Sequence, residues 1–203
     1  MIRIVIMASG FGRRMGCDKL VEPLLDRPVL AWVLESALKA GADGVTVVYR
    51  SPAVRALAQA GGAEVLYNPA AAEGQSAGIR LAAERFQGAQ GLLFMAGDQP
   101  LVKPETLETM IRRFKEEKPD IISGAWQGVR CLPALFSGRL VPELRLLQGD
   151  QGGRALMGNG GYRVLLQEFQ QEEEGWDIDT AEALLRVTQR LRIRAAGGHD
   201  ART

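Results

Sequence analysis

Three short runs in this chain carry the residue types that handle phosphate and a hard cation. The first is Ala8-Ser9-Gly10-Phe11-Gly12-Arg13-Arg14-Met15-Gly16-Cys17-Asp18-Lys19, directly after the apolar run 4–7. Its glycines let backbone N–H groups approach a phosphate with no Cβ in the way. Arg13, Arg14 and Lys19 supply the charge that a triphosphate needs. The second run is Met95-Ala96-Gly97-Asp98-Gln99-Pro100, where an apolar stretch ends, Gly97 turns and Asp98 offers a carboxylate. Carboxylate oxygen suits Mg2+, which keeps most of its waters. The third is Asp177-Ile178-Asp179. Carboxylates two apart in extended chain point the same way, so one of them can share a cation with Asp98.

Each run also has a plainer reading. A glycine-rich turn after a strand fits a dinucleotide loop, with Arg50 placed for a 2′-phosphate, or simply a solvated turn. Asp98 alone fits an Asx-turn, and Asp179 with Thr180 fits helix capping. Gly74-Gln75-Ser76-Ala77-Gly78-Ile79-Arg80 opens a helix; its hydroxyl and backbone groups could meet a base or ribose, or only cap that helix. His199, the only histidine, falls in the C-terminal tail, which argues against His-based acid–base or nucleophilic chemistry. Cys17 has three basic neighbours that would lower its pKa, but with no histidine partner it reads as a bystander. Glu172-Glu173-Glu174 reads as a solvated turn.

A scaffold must bring these runs together. Apolar runs alternate with helical patterns: strands are expected over 3–7, 45–49, 64–67, 92–95 and 120–123, and helices over 28–39, 53–60, 76–86 and 104–118. This rhythm predicts an α/β fold with a mostly parallel sheet covered on both faces and ligands at the carboxyl ends of the strands. The Gly10 loop and Asp98 stand at two such ends and should share a crevice. Beyond residue 124 the rhythm loosens. Residues 128–136 read as an antiparallel excursion, 139–147 as helical, and 181–190 as a closing helix capped by Thr180. A single domain over 1–190 and a flexible tail over 191–203, frayed from Ala195, are expected.

The 203 residues carry 25 Lys and Arg against 24 Asp and Glu, a formal charge of +1. No global field therefore argues for nucleic acid or an acidic membrane surface. No apolar run approaches the roughly 20 residues that span a bilayer. Met1-Ile2-Arg3 passes straight into a strand pattern, so a cytoplasmic location is expected, with Cys17 and Cys131 as free thiols.

In their order along the chain these runs resemble the nucleotidyltransferases related to molybdenum cofactor guanylyl- and cytidylyltransferases. Residues 8–19 are similar to that family's glycine-rich loop, and Pro23-Leu24 and Pro28-Val29-Leu30 continue the pattern. Asn68-Pro69 and residues 74–80 resemble its middle segment, and Gly97-Asp98-Gln99-Pro100 matches its Gly-Asp-Gln-Pro. Arg130, Pro133, Phe136 and Gly149-Asp150-Gln151-Gly152-Gly153-Arg154 resemble the cytidylyl branch, as does the closing Asp177-Ile178-Asp179-Thr180. Five ordered motifs, reaching to about residue 185, are specific where a single one is not.

The resemblance implies a three-layer α/β/α Rossmann-like nucleotidyltransferase fold with a mostly parallel mixed sheet. It implies Mg2+-dependent transfer in which a molybdopterin phosphate attacks the α-phosphorus of an NTP and pyrophosphate leaves. Arg14, Lys19 and Asp98 would be catalytic, with Arg14 and the 10–16 amides on the β- and γ-phosphates and Lys19 on the α-phosphate. Ala8, Ser9, Gly10, Gly12, Arg13, Gly16, Gly74 and Ser76 would surround the nucleotide, Ser9 and Ser76 lining the base pocket. Arg130, Asp150 and Arg154 would face the acceptor, and Asp98 with Asp177 or Asp179 would hold the metal. At position 9 the guanylyl branch tends to glycine and the cytidylyl branch to alanine. Ser9 matches neither, but a side chain there leaves less room for a purine, which favours CTP over GTP. A client molybdoenzyme is the implied protein partner. Cys131-Leu132 and Gly78 depart from the family pattern on the acceptor or base side, which leaves another phosphorylated small molecule open as acceptor. A non-catalytic nucleotide-binding or cofactor-handover module is the reading from another class; Lys19, Asp98 and Asp177 argue against it.

Overall fold

The computed structural model describes residues 1–11, 18–158 and 160–197. Its elements are β1 (Ile2–Ala8), β2 (Pro23–Leu24), β3 (Arg27–Pro28), α1 (Val29–Lys39), β4 (Val45–Tyr49), α2 (Pro52–Ala60), β5 (Glu64–Tyr67), α3 (Gln75–Arg85), β6 (Gly91–Ala96), α4 (Pro104–Glu117), β7 (Ile121–Trp126), β8 (Val129–Ser137), α5 (Val141–Leu144), α6 (Arg154–Met157), β9 (Val164–Glu168) and α7 (Ala181–Gly197).

β1 shows why the layers form. Ile2, Ile4, Ile6 and Ala8 turn to one face and Val5 and Met7 to the other, the two-residue period of a strand buried on both sides. On the first face α1 buries Leu30, Val33, Leu34 and Ala37, and α4 buries Leu107, Met110, Ile111 and Phe114. On the second, Ile79, Ala82 and Ala83 of α3 continue to Phe86. All three sets repeat at i, i+3, i+4, i+7, one stripe of a 3.6-residue helix.

The sheet runs β5-β4-β1-β6-β8-β7-β9. β1 pairs in parallel with β4 and β6, β4 with β5, and β7 with β9. β8 lies antiparallel to both β6 and β7 and is the one reversed strand. The α/β/α architecture and mixed, mostly parallel sheet are those expected.

Three details differ from the sequence reading. The pattern over 139–147 breaks into a 3-10 turn, Gly138–Leu140, and the short α5. Pro142 lacks an N–H and fits only a first helical turn. β9 was not anticipated; as an edge strand of partly exposed residues it has no clean alternation. α7 runs to Gly197, beyond the expected end at Arg190. Its cap is as expected, with Ala183 N–H donating to Thr180 Oγ1 at 3.2 Å. A third apolar cluster, including Leu24, Leu101, Ile178, Val187 and Leu191, seats α7 against the β2–β3 hairpin. No described helix is long and apolar enough to cross a membrane.

Candidate active site

A crevice of about 500 Å3 opens at the carboxyl ends of β1 and β6. Ala8, Ser9 and Gly10 line it where β1 ends, Asp98 where β6 ends, and Gly74 and Gln75 at the start of α3. The reversed strand β8 brings its first residues to the same end. There the ladder pairs Ser123 with Ala134 and then Gly124 with Cys131, leaving Leu132 and Pro133 out of register. Bulges of this kind re-aim side chains beside functional sites, and Leu132 reaches the crevice wall.

Lys19 is the electrostatic centre. Its Nζ lies 2.5 Å from Asp98 Oδ2 and 2.5 Å from Asp179 Oδ1. Burial disfavours charge on both Lys19 and Asp98, and the two respond differently. Burial pushes the Lys19 ammonium down, but two carboxylates outweigh it, so its pKa stands above the ordinary lysine value. Burial pushes the Asp98 carboxyl up, and Lys19 only partly offsets this, while Asp177 adds repulsion; its pKa stands above the usual carboxylate range. Asp177 itself is exposed and Asp179 lines the crevice. Between them Ile178 is fully buried and donates its N–H to Asp98 O at 3.0 Å.

This arrangement fits a divalent cation. Two hard-oxygen carboxylates converge on one positive centre. Among the described residues no group of three or more His, Cys, Asp and Glu forms a metal cage. Other ligands would have to be phosphate oxygens and water, the usual habit of Mg2+. The crevice wall also includes Asp18, Glu73 and Asp150. Its described part is therefore strongly acidic, and a triphosphate needs added positive charge there. Gly12, Arg13, Arg14, Gly16 and Cys17, expected around the phosphates, lie outside the described residues.

Ser9 accepts a hydrogen bond from Asn68 Nδ2 at 3.0 Å, and Asn68 Oδ1 accepts from Ala70 N at 3.1 Å. Asn68 stands just past the end of β5, two strands from Ser9, and that position is the signal in the sequence that points to it. Arg50, considered for a 2′-phosphate, stacks on Phe11 with its guanidinium carbon 4.4 Å from the ring centre. Ser76 is fully buried, and its Oγ accepts from Arg80 Nη1 at 2.9 Å. A Cβ on Gly78 would stand 2.5 Å from Met7 Cε and 3.5 Å from Asn68 Nδ2, so the close packing of α3 on β1 requires glycine there. Gly74 has φ of +108°, and a Cβ would stand 2.5 Å from both Asp150 Oδ1 and Gly149 O. Only glycine accommodates that conformation and that approach.

A second cavity of about 330 Å3 adjoins the first and shares Met7, Gln75, Leu132 and Asp150 with it. Ile79, Phe94, Ala134, Phe136 and Met157 give it an apolar lining, and Arg130 and Arg154 supply guanidinium groups. Arg130 Nη1 donates to Met157 O at 3.0 Å, and Arg154 Nη2 donates to Arg130 O at 2.5 Å. Among the described residues neither pairs with a carboxylate. Burial pushes the Cys131 thiol in this cavity up to about 11. The structure thus brings Lys19, Asp98 and Asp179 together on one side and Arg130 and Arg154 on the other, with Asp150 between.

The MobA-like NTP transferase domain family matches residues 4–167. The chain is similar to the purine catabolism protein PucB of Bacillus subtilis, at 30% identity over 195 residues, 88% of this chain and 91% of that protein. It is also similar to the bifunctional protein GlmU of Geobacter metallireducens, at 34% identity over 112 residues, 53% of this chain and 24% of GlmU. Rv0371c of Mycobacterium tuberculosis superposes with a TM-score of 0.78 at 29% identity, over 93% of this chain and 97% of that one. A structure of Rv0371c in complex with manganese is similar too, with a TM-score of 0.76 at 28% identity over 93% of this chain and 98% of that one.

Proposed function

This chain belongs to the MobA-like NTP transferase family, and we propose that it transfers CMP from CTP to the phosphate of molybdopterin, with Mg2+ and release of pyrophosphate. The observation that carries this reading is the junction of two cavities at Asp150, one holding Lys19, Asp98 and Asp179 and the other Arg130 and Arg154.

An acceptor phosphate oxygen forms the new bond to the α-phosphorus of CTP. The bond from that phosphorus to the bridging oxygen breaks, and its electron pair leaves on pyrophosphate. A phosphate monoester is largely dianionic at neutral pH, so the attack needs no protein base. Mg2+, when bound, neutralises charge on the phosphate oxygens. Asp98 and Asp179 would hold it, and Lys19 would stabilise the charge that develops on the α-phosphate. Because Asn68 donates to Ser9 Oγ, the Ser9 hydroxyl is left to donate, which suits O2 and N3 of cytosine. The guanidinium pair suits the acceptor phosphate, and the apolar lining suits a flat ring. A molybdoenzyme is the protein partner that this reading implies.

Thermal shifts with CTP, GTP, ATP and NADP, each with and without Mg2+, test the donor. Ligand at about 100 times its Kd adds about 2.7 kcal/mol. A Mg2+-dependent CTP shift, followed by pyrophosphate release that requires molybdopterin, is the expected result. A larger GTP shift moves the assignment to guanylyl transfer. Cys131 and Leu132 in the acceptor cavity favour a second reading, another phosphorylated small molecule as acceptor; a CTP shift without molybdopterin-dependent turnover supports it.

A further inference from the structure

The stretch that carries Asp177 and Asp179 is not held by the sheet. It is extended chain before α7, and Asp98 lies across from it in the loop from β6 to α4. Glu174 sits where these two stretches cross. Expected as part of a solvated turn, it is instead fully buried, with Glu173 nearly so. Glu174 Oε2 accepts from Thr106 Oγ1 at 2.5 Å and from Lys103 N at 3.3 Å, both at the start of α4. Its Oε1 accepts from Gln170 N at 3.3 Å and stands 4.0 Å from Lys103 Nζ. A carboxylate is favoured at a helix N-terminus, but burying one is costly, and a plain turn does not require it. Gln99, next to Asp98, adds a second stitch to the same seam, its Nε2 donating to Gly175 O at 3.4 Å. Glu173 grips α7 separately through Arg190 and Arg194.

We propose that Glu174 is a positioning residue for nucleotidyl transfer: by clasping the 170–176 turn to the first turn of α4, it sets the separation of Asp98 and Asp179. This rests on the reading of those two carboxylates as the cation-holding pair. Neither Glu174 nor Thr106 lines the crevice, so their effect on a cation passes through the clasp.

The test uses Glu174→Gln, Thr106→Val and the conservative Thr106→Ser. Mn2+ affinity in the presence of CTP is read by electron paramagnetic resonance, and amide hydrogen exchange is followed at Ile178, whose N–H bonds to Asp98 O. Glu174→Gln and Thr106→Val are expected to weaken Mn2+ binding about tenfold to a hundredfold, as loss of an outer-shell partner does, while CTP binding without metal is unchanged. Exchange at Ile178 should speed at least tenfold relative to β1 amides. Thr106→Ser should keep both values. Unchanged Mn2+ affinity and Ile178 exchange in the two damaging variants overturn the proposal, as does acceleration shared equally by β1. Should Glu174→Gln not fold, Thr106→Val decides. If the parent protein takes up no Mn2+ with any nucleotide, the transferase reading has failed, and Ile178 exchange still decides whether Glu174 sets the seam.

Discussion

Lys19 and Asp98 form an ion pair of 2.5 Å in which the same ammonium also serves Asp179. The lysine thus offsets carboxylate charge, and in the proposed transfer it would stand where phosphate and cation meet. Lys19→Met is expected to lower kcat by about 10^2- to 10^3-fold, the scale of removing one charge-stabilising donor. Nucleotide affinity should change far less. Single-turnover kinetics check this; a rise in KM with unchanged kcat would place Lys19 in ground-state binding instead.

Asp98 separates stability from activity. Burial raises its pKa, so the native state holds this proton more tightly than the unfolded chain does. The sign follows: its ionisation weakens the fold as pH rises through the folded pKa, and the penalty is absent below the ordinary carboxylate value. Asp98→Asn should therefore lose the part of the parent's fall in stability with rising pH that this ionisation causes, and should lose turnover. Melting temperatures across pH check this; a fall as steep as the parent's, or steeper, would show that attraction to Lys19 outweighs burial.

Gly74 joins the two cavities through its approach to Gly149 and Asp150. Gly74→Ala forces a Cβ into that contact at a positive φ, a cost of about 1–3 kcal/mol. For a chain of this size that lowers Tm by roughly 2–4 °C per kcal/mol. CTP affinity and acceptor KM should both suffer, because one displaced loop serves both walls. An unchanged acceptor KM would refute the shared wall.

Cys131 should be an unreactive thiol. With a pKa pushed up to about 11 by burial, it is overwhelmingly protonated at pH 8, and only the thiolate is nucleophilic. In a Cys17→Ser background, iodoacetamide labelling at pH 8 should be far slower than for a free thiol and should rise with pH through the range near 11. Rapid labelling at pH 8 would mean that the second cavity is wetter than its lining suggests.

Local pattern explains most of what was legible in advance. The stripes of α1, α3 and α4 and the alternation of β1 reflect burial against neighbours fixed by each element's own geometry. β9 escaped because an edge strand needs no apolar alternation. The partner of the Ser76 hydroxyl was not legible because it is set by Arg80, one turn on. The glutamate run was misread because a row of charges looks solvated until its partners are known, and Thr106 and Lys103 lie 68 and 71 residues away.

The sequence by itself determined which groups are available for chemistry and the order of elements that carries them to the strand ends. Tertiary structure alone decided that Asp179 rather than Asp177 meets Lys19, that Gly74 abuts Asp150, and that Glu174 ties two loops together. Such pairings depend on how helices dock and where strands slip register, as at Leu132 and Pro133. Those are sums of many weak contacts between distant parts of the chain, and no local spacing encodes them.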